Sequence, residues 1–119
     1  NKFGGYGLRA KEQSEAQKLK DDARYLQELG CSAIVLEKIP SALAKEVTQN
    51  LSVPTIGIGA GHEVDGQVLV SQDFFGMFVD YKPKFVRQYL NLYELMTGAV
   101  SQYITDVKAQ TFPNESEQY

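Results

Sequence analysis

Glu37 is the first residue of this chain whose type and place suggest chemistry. It directly follows the apolar run Ala33-Ile34-Val35-Leu36, so it falls at the carboxyl end of a short buried strand. In β/α barrels and open parallel sheets, active sites gather at that end. A carboxylate at an apolar strand mouth is partly desolvated, which raises its pKa toward that of a working general base. The competing reading is a surface glutamate that opens a loop beside Lys38. Position alone favours that plainer reading, because glutamate is rarely buried.

The run Gly57-Ile58-Gly59-Ala60-Gly61 follows a second short apolar segment. Glycines after a strand let backbone N–H groups approach an anion closely, so a phosphate cradle is one reading. A tight turn with positive φ is the other, and spacing alone prefers it. A dinucleotide fingerprint is excluded. Its third glycine would fall on His62, and the following Glu63-Val64-Asp65-Gly66 turns rather than opening a helix.

His62 is the only histidine, with Glu63 and Asp65 nearby only along the loop. That spacing is weak support for a metal, and a solvated histidine is the better reading. Asp65-Gly66-Gln67 could bind polar substrate atoms or simply form an Asx-type turn into a strand. Cys31 reads as a small buried hydrophobe. Phe85, Tyr89, Tyr93 and Tyr103 read as a helix stripe facing a core or a second subunit. Lys82 and Lys84 read as solvated charges.

The elements that must position these groups follow from punctuation and period. Residues 1–13 read as a loop. Ser14 with Gln17 predicts a capping box, and Ala16, Leu19, Ala23, Leu26 and Leu29 form one helical stripe that Gly30 ends. Residues 33–36 are continuously apolar and predict a parallel strand covered on both faces. Ser41 is expected to cap a helix with Leu43, Ala44, Val47 and Leu51 inward. Thr55-Ile56-Gly57-Ile58 predicts a second strand and Val68-Leu69-Val70 a third. Residues 74–82 read as a loop or short helical piece. From Phe85 to Val107 the apolar period predicts either one long helix or two joined near Asn91. Residues 114–119 read as a frayed polar tail.

Strands separated by a helix imply parallel pairing. Three such strands leave two open edges, which suits part of a larger α/β architecture. The length, 119 residues, allows a single domain, here read as one partial domain over 1–119.

Composition excludes several classes. Twelve basic and fifteen acidic side chains leave a net charge of −3, so no positive field draws a nucleic acid. No apolar run approaches the roughly 20 residues of a membrane span. No charged-then-apolar leader is visible. The lone cysteine suits a reducing, cytoplasmic setting. The chain opens on Asn1 rather than Met, and sequence upstream of it is expected.

Taken together, GGY at 4–6, IVLEKIP at 34–40, PTIGIGAGHEVDGQVLV at 54–70, FFGMF at 74–78, KPKFVRQYL at 82–90 and DVKAQTFP at 106–113 resemble the ketopantoate hydroxymethyltransferase family. The resemblance covers essentially the whole chain, and LE-x-x-P combined with GIGAG-x-x-x-DGQ is highly specific. Gly7-Leu8-Arg9-Ala10 departs from it, where the family typically has lysine, valine, glutamine and glycine.

The resemblance implies a TIM-type β/α barrel of which this chain is the carboxyl-terminal portion. It implies transfer of a hydroxymethyl group from 5,10-methylenetetrahydrofolate to 3-methyl-2-oxobutanoate. The implied Mg2+ is held by carboxylates of earlier strands, beside a substrate-contacting lysine, and none of those positions lies in this sequence. The family's catalytic glutamate falls on Glu37, which outweighs the surface reading of that residue. Ile58 and Val70, at strand mouths, are expected to line the apolar side of the substrate pocket, beside the alternative of plain core packing. A homo-oligomer is implied as well, and 119 residues alone are expected to be inactive. The alternative is a small autonomous module that binds an anion through the GIGAG loop.

Overall fold

The computed structural model describes residues 9, 10 and 12–119. The loop expected over 1–13, with its GGY segment, therefore lies mostly outside the described residues. The chain divides into two compact units, Asn1–Leu69 and Val70–Tyr119.

In the first unit, α1 (Gln13–Glu28) is followed by β1 (Ile34–Glu37), α2 (Ser41–Gln49), β2 (Thr55–Ile58) and β3 (Gly66–Gln67). The three strands form one parallel sheet in the order β1-β2-β3. This is the strand–helix–strand arrangement of part of a β/α barrel.

The apolar stripe of α1 reaches the core over its first part only: Ala23 is buried and Ala16 and Leu19 pack against the core, whereas Leu26 and Leu29, expected on the same stripe, are exposed. The helix start differs from expectation. Glu12 precedes it with no side-chain cap, Ser14 lies inside the first turn, and the Gln17 amide donates to Asp21 one turn on at 2.9 Å. That side-chain bond takes Gln17 away from the capping box. The helix stop holds: Gly30 N–H donates to Gln27 O and Cys31 N–H to Leu26 O, the two bonds of a Schellman ending. Gln27 then ties the helix to the turn before β2. Its Oε1 accepts from the N–H groups of Ser52 and Val53, at 2.6 and 3.2 Å.

α2 buries Leu43, Ala44 and Val47. Pro40, not Ser41, occupies the position before the first helical residue. Proline's fixed φ suits that place, and its carbonyl accepts from Ala44 N–H at 3.0 Å.

The sheet has two unlike faces. Along β1, Ile34 and Leu36 are buried while Val35 and Glu37 are exposed. Along β2, Thr55 and Gly57 are buried while Ile56 and Ile58 are half-buried. The register sets Val35 beside Ile56 and Glu37 beside Ile58. One face therefore packs with α1 and α2 into the core, and the other, lined by Val35, Ile56 and Ile58, is open. Full coverage of both faces was expected of β1. The open face instead leaves Val35 58% exposed, which is unusual for valine on a parallel sheet.

The third strand falls two residues earlier than its apolar run predicts. Gly66 pairs with Ile56 and Gln67 with Gly57, and Val68 N–H still donates to Gly57 O at 3.0 Å. The register is fixed from Asp65, whose carboxylate accepts from Thr55 N–H at 2.8 Å. The chain then leaves the sheet, and Val70 becomes the extended residue before α3.

In the second unit, α3 (Ser71–Phe74) is one turn, and α4 (Leu92–Lys108) is the long helix. Residues 83–90 are not helical, so the helical period read from Phe85 onward is corrected. Tyr89 N–H donates to Phe74 O at 2.9 Å, and its ring stacks on Phe74 with centroids 4.6 Å apart. These tertiary partners hold Tyr89 outside a helix. Asn91 supplies the start that its type predicts, its side chain accepting from Glu94 N–H. The tail is not wholly frayed. Asn114 and Glu117 form a reciprocal capping box on a short 3-10 turn, Glu115–Glu117.

Candidate functional site

Glu37 ends β1 on the open face of the sheet. Beside it in register stands Ile58, the last residue of β2, and one step back along that face are Val35 and Ile56. Strands in a sheet lie about 4.8 Å apart, so these side chains form a contiguous patch at the carboxyl ends. Among the described residues of the three strands, Glu37 is the one ionisable group on that face. Its carboxylate makes no hydrogen bond or ion pair with any described residue. Its expected partial desolvation is not found in this chain: Glu37 is exposed, because β1 is an edge strand and its open face carries no second layer among the described residues.

The free edge of β1 borders a cavity of about 310 Å³, between Leu19 and Leu26 of α1 and the strand. Arg9 and Glu37 both line it. Arg9 N–H donates to Lys38 O at 2.8 Å, which fixes the backbone before α1 against the end of the strand.

The GIGAG loop carries the chain from the carboxyl end of β2 back to the start of β3 without a crossover helix. Its glycines serve this turn. Gly59 and Gly61 have φ of 66° and 85°, and a Cβ on Gly61 would collide with Ser41 at the start of α2. A Cβ on Gly57 would come within 2.9 Å of Val64 Cγ2. Gln67 Nε2 donates to Gly61 O at 2.7 Å. Tight return and close packing account for the three glycines.

Asp65 and Gln67 are thus held by the protein itself. Asp65 Oδ2 accepts from Thr55 N–H and, at 3.1 Å, from Thr55 Oγ1, at the amino end of β2. Glu37 lies at the opposite, carboxyl end of its strand, so Asp65 and Glu37 do not converge. His62 is exposed in the loop, and no group of three His, Cys, Asp or Glu among the described residues is placed to hold a metal. Cys31 is half-buried and free. Val70 is not on β3; it belongs to the 70–119 unit, as the residue before α3.

Sequence reasoning missed the ion pair between Lys45 of α2 and Glu63 of the loop. Nothing in their local patterns marks it, because the pair exists only once the loop folds back over the helix. The hydrogen bond from the Lys45 ammonium holds the Glu63 carboxyl below the usual glutamate range. Some desolvation opposes this, and the Lys45 and His62 charges reinforce it. The pKa is depressed in the folded state, so the tie is fully present above the ordinary glutamate value and is lost as pH falls through the lowered one. Replacing Lys45 with Met is expected to return the Glu63 titration upward to the ordinary range, read by carbon NMR of its carboxyl. An unmoved titration would show that Lys45 is not the cause.

A family model described as ketopantoate hydroxymethyltransferase matches residues 1–115. The chain belongs to the ketopantoate hydroxymethyltransferase family. Named 3-methyl-2-oxobutanoate hydroxymethyltransferases of Flavobacterium johnsoniae and Bacteroides thetaiotaomicron are each 58% identical to it, over 118 and 119 residues. One from Porphyromonas gingivalis is 56% identical over 119 residues. These matches take in 99–100% of this chain but only 43–44% of each relative. The chain therefore spans less than half the length of the curated relatives it matches. In the family's terms, this chain contributes a three-stranded parallel sheet with Glu37 at its carboxyl end.

Proposed function

We propose that this chain is the carboxyl-terminal part of an enzyme that transfers a one-carbon unit from 5,10-methylenetetrahydrofolate to 3-methyl-2-oxobutanoate, with Glu37 as the general base. One observation carries the reading: a single carboxylate stands on an otherwise apolar, open sheet face at the carboxyl ends of parallel strands.

The chemistry asks for such a group. The keto acid's third carbon bears a proton made acidic by the neighbouring carbonyl. A carboxylate removes it, and the resulting enolate carbon attacks the folate's methylene. Water supplies the oxygen of the new hydroxymethyl group; both C–N bonds to the methylene break, the two folate nitrogens take up the proton removed from the third carbon and one from water, and tetrahydrofolate leaves. Ile58 beside Glu37 gives the keto acid's branched methyl groups an apolar wall. The described residues do not fit the implied Mg2+, since no three ligating side chains converge. No step here is routed through the metal.

A cytoplasmic setting stays part of the proposal. Among the described residues, no helix is long and apolar enough to cross a membrane. Homo-oligomerisation is part of the proposal as well, with Leu95, Val100 and Tyr103 of α4, exposed among the described residues, as the surface offered for it.

The test is a chimera in which residues 1–119 replace the matching segment of the Bacteroides thetaiotaomicron relative. It is expected to form the hydroxymethylated keto acid from both substrates, whereas the 119-residue chain alone forms none. A folded chimera without turnover would count against the reading, and so would turnover by the isolated chain.

A further inference from the structure

Burial alternates along β1 through Ile34, Val35, Leu36 and Glu37. Continued regularly, that period would turn Lys38 toward the core and Ile39 onto the open face. The reverse is found. Ile39 is only 3% exposed and joins the core cluster with Leu36 and Leu43, while Lys38 is half-buried. The alternation breaks at Lys38, whose φ of 51° lies in the left-handed region that non-glycine residues rarely adopt.

Two backbone bonds hold this turn. Lys38 N–H donates to Ile58 O at 2.9 Å, and Lys38 O accepts from Arg9 N–H at 2.8 Å. Pro40 follows as the residue before α2, and a residue preceding proline is disfavoured from the helical region. Glu37 is thus pinned on the residue after it from both sides, while its own carboxylate has no partner among the described residues. Among the described residues, the backbone sets its aim.

We propose that the left-handed turn at Lys38 positions Glu37, holding its side chain on the open face while Ile39 enters the core. Lys38 acts through its backbone conformation, as a positioning residue. The inference rests on the reading of Glu37 as the base.

The test compares Lys38→Asn, Lys38→Gly and Lys38→Val in the chimera. All three remove the ammonium, so differences among them report the backbone. Asn and Gly accept positive φ and a β-branched residue resists it. Lys38→Val is expected to lower kcat by about 10²-fold with KM little changed, the scale of a misplaced catalytic group. Lys38→Asn and Lys38→Gly are expected to stay within about threefold of the parent, a margin far inside that loss. Amide exchange at Arg9 is expected to quicken in Lys38→Val only. Equal losses in all three variants would assign the effect to the ammonium and overturn the proposal, as would full activity in Lys38→Val. If Lys38→Val does not fold, the outcome for Asn and Gly decides, and loss of activity in both refutes the turn's role. A parallel Glu37→Gln variant separates the two claims. If it keeps its activity, the base reading fails, whatever the Lys38 series shows.

Discussion

Replacing Glu37 with Gln in the chimera is expected to slow proton exchange at the third carbon of 3-methyl-2-oxobutanoate by roughly 10²–10⁴-fold, the contribution of a positioned general base. Glutamine keeps the shape and volume of the side chain but cannot take up a proton. Nothing described in the structure leans on the carboxylate: Glu37 has no described partner, and its place in β1 is fixed by backbone bonds and by burial of Leu36 and Ile39. Stability and keto-acid binding are therefore expected to change little. The measurement is loss of deuterium from labelled keto acid, followed by NMR, alongside calorimetric binding. Exchange at the parent rate would remove Glu37 from the base role. Loss of exchange together with loss of binding would make it a binding group instead.

The largest effect on stability is expected at the other end of the sheet. Thr55 is fully buried, and its N–H and hydroxyl both reach Asp65 Oδ2. Its hydroxyl also lies 2.7 Å from that of Thr48, which in turn lies 2.8 Å from Ala44 O. Each hydroxyl has one proton. With Thr48 donating to Ala44, the Thr55 proton is shared between Thr48 and Asp65 Oδ2, and Asp65 is the one acceptor for the Thr55 N–H. Asp65→Ala removes that acceptor and strands a buried donor, which costs about 3 kcal/mol for a bond to a charged group. In a chain of the chimera's size this is a fall in Tm of roughly 6–12 °C. Asp65→Asn keeps an acceptor oxygen and is expected to lose less than half as much. Equal stability of Asp65→Ala and the parent would show that β3 is registered by something else.

What the sequence made legible follows a physical line. α1, β1, α2 and β2 were readable because periods and punctuation act locally: the stripe through Ala23, the stop at Gly30, the continuous run into Glu37. The place of Glu37 at a strand end was readable for the same reason. The larger misreadings involve distant partners. β3 is set by Asp65 reaching across to Thr55, not by the apolar run 68–70. Residues 83–90 carry a helical period but are held by Phe74 through ring stacking and a backbone bond. Asp65, readable as a substrate-binding group, spends its carboxylate on the sheet. The exposure of Glu37 was not legible either, because continuous apolar residues predict coverage whether or not the covering strands lie within this chain.

On the proposed reading, this segment supplies the proton-abstracting strand of a hydroxymethyltransferase barrel. The most direct test is folate-independent exchange of the third-carbon proton of 3-methyl-2-oxobutanoate by the chimera, with the isolated chain as control. Exchange is expected from the chimera in the absence of folate and none from the chain alone. A folded, keto-acid-binding chimera that leaves this proton in place would contradict it.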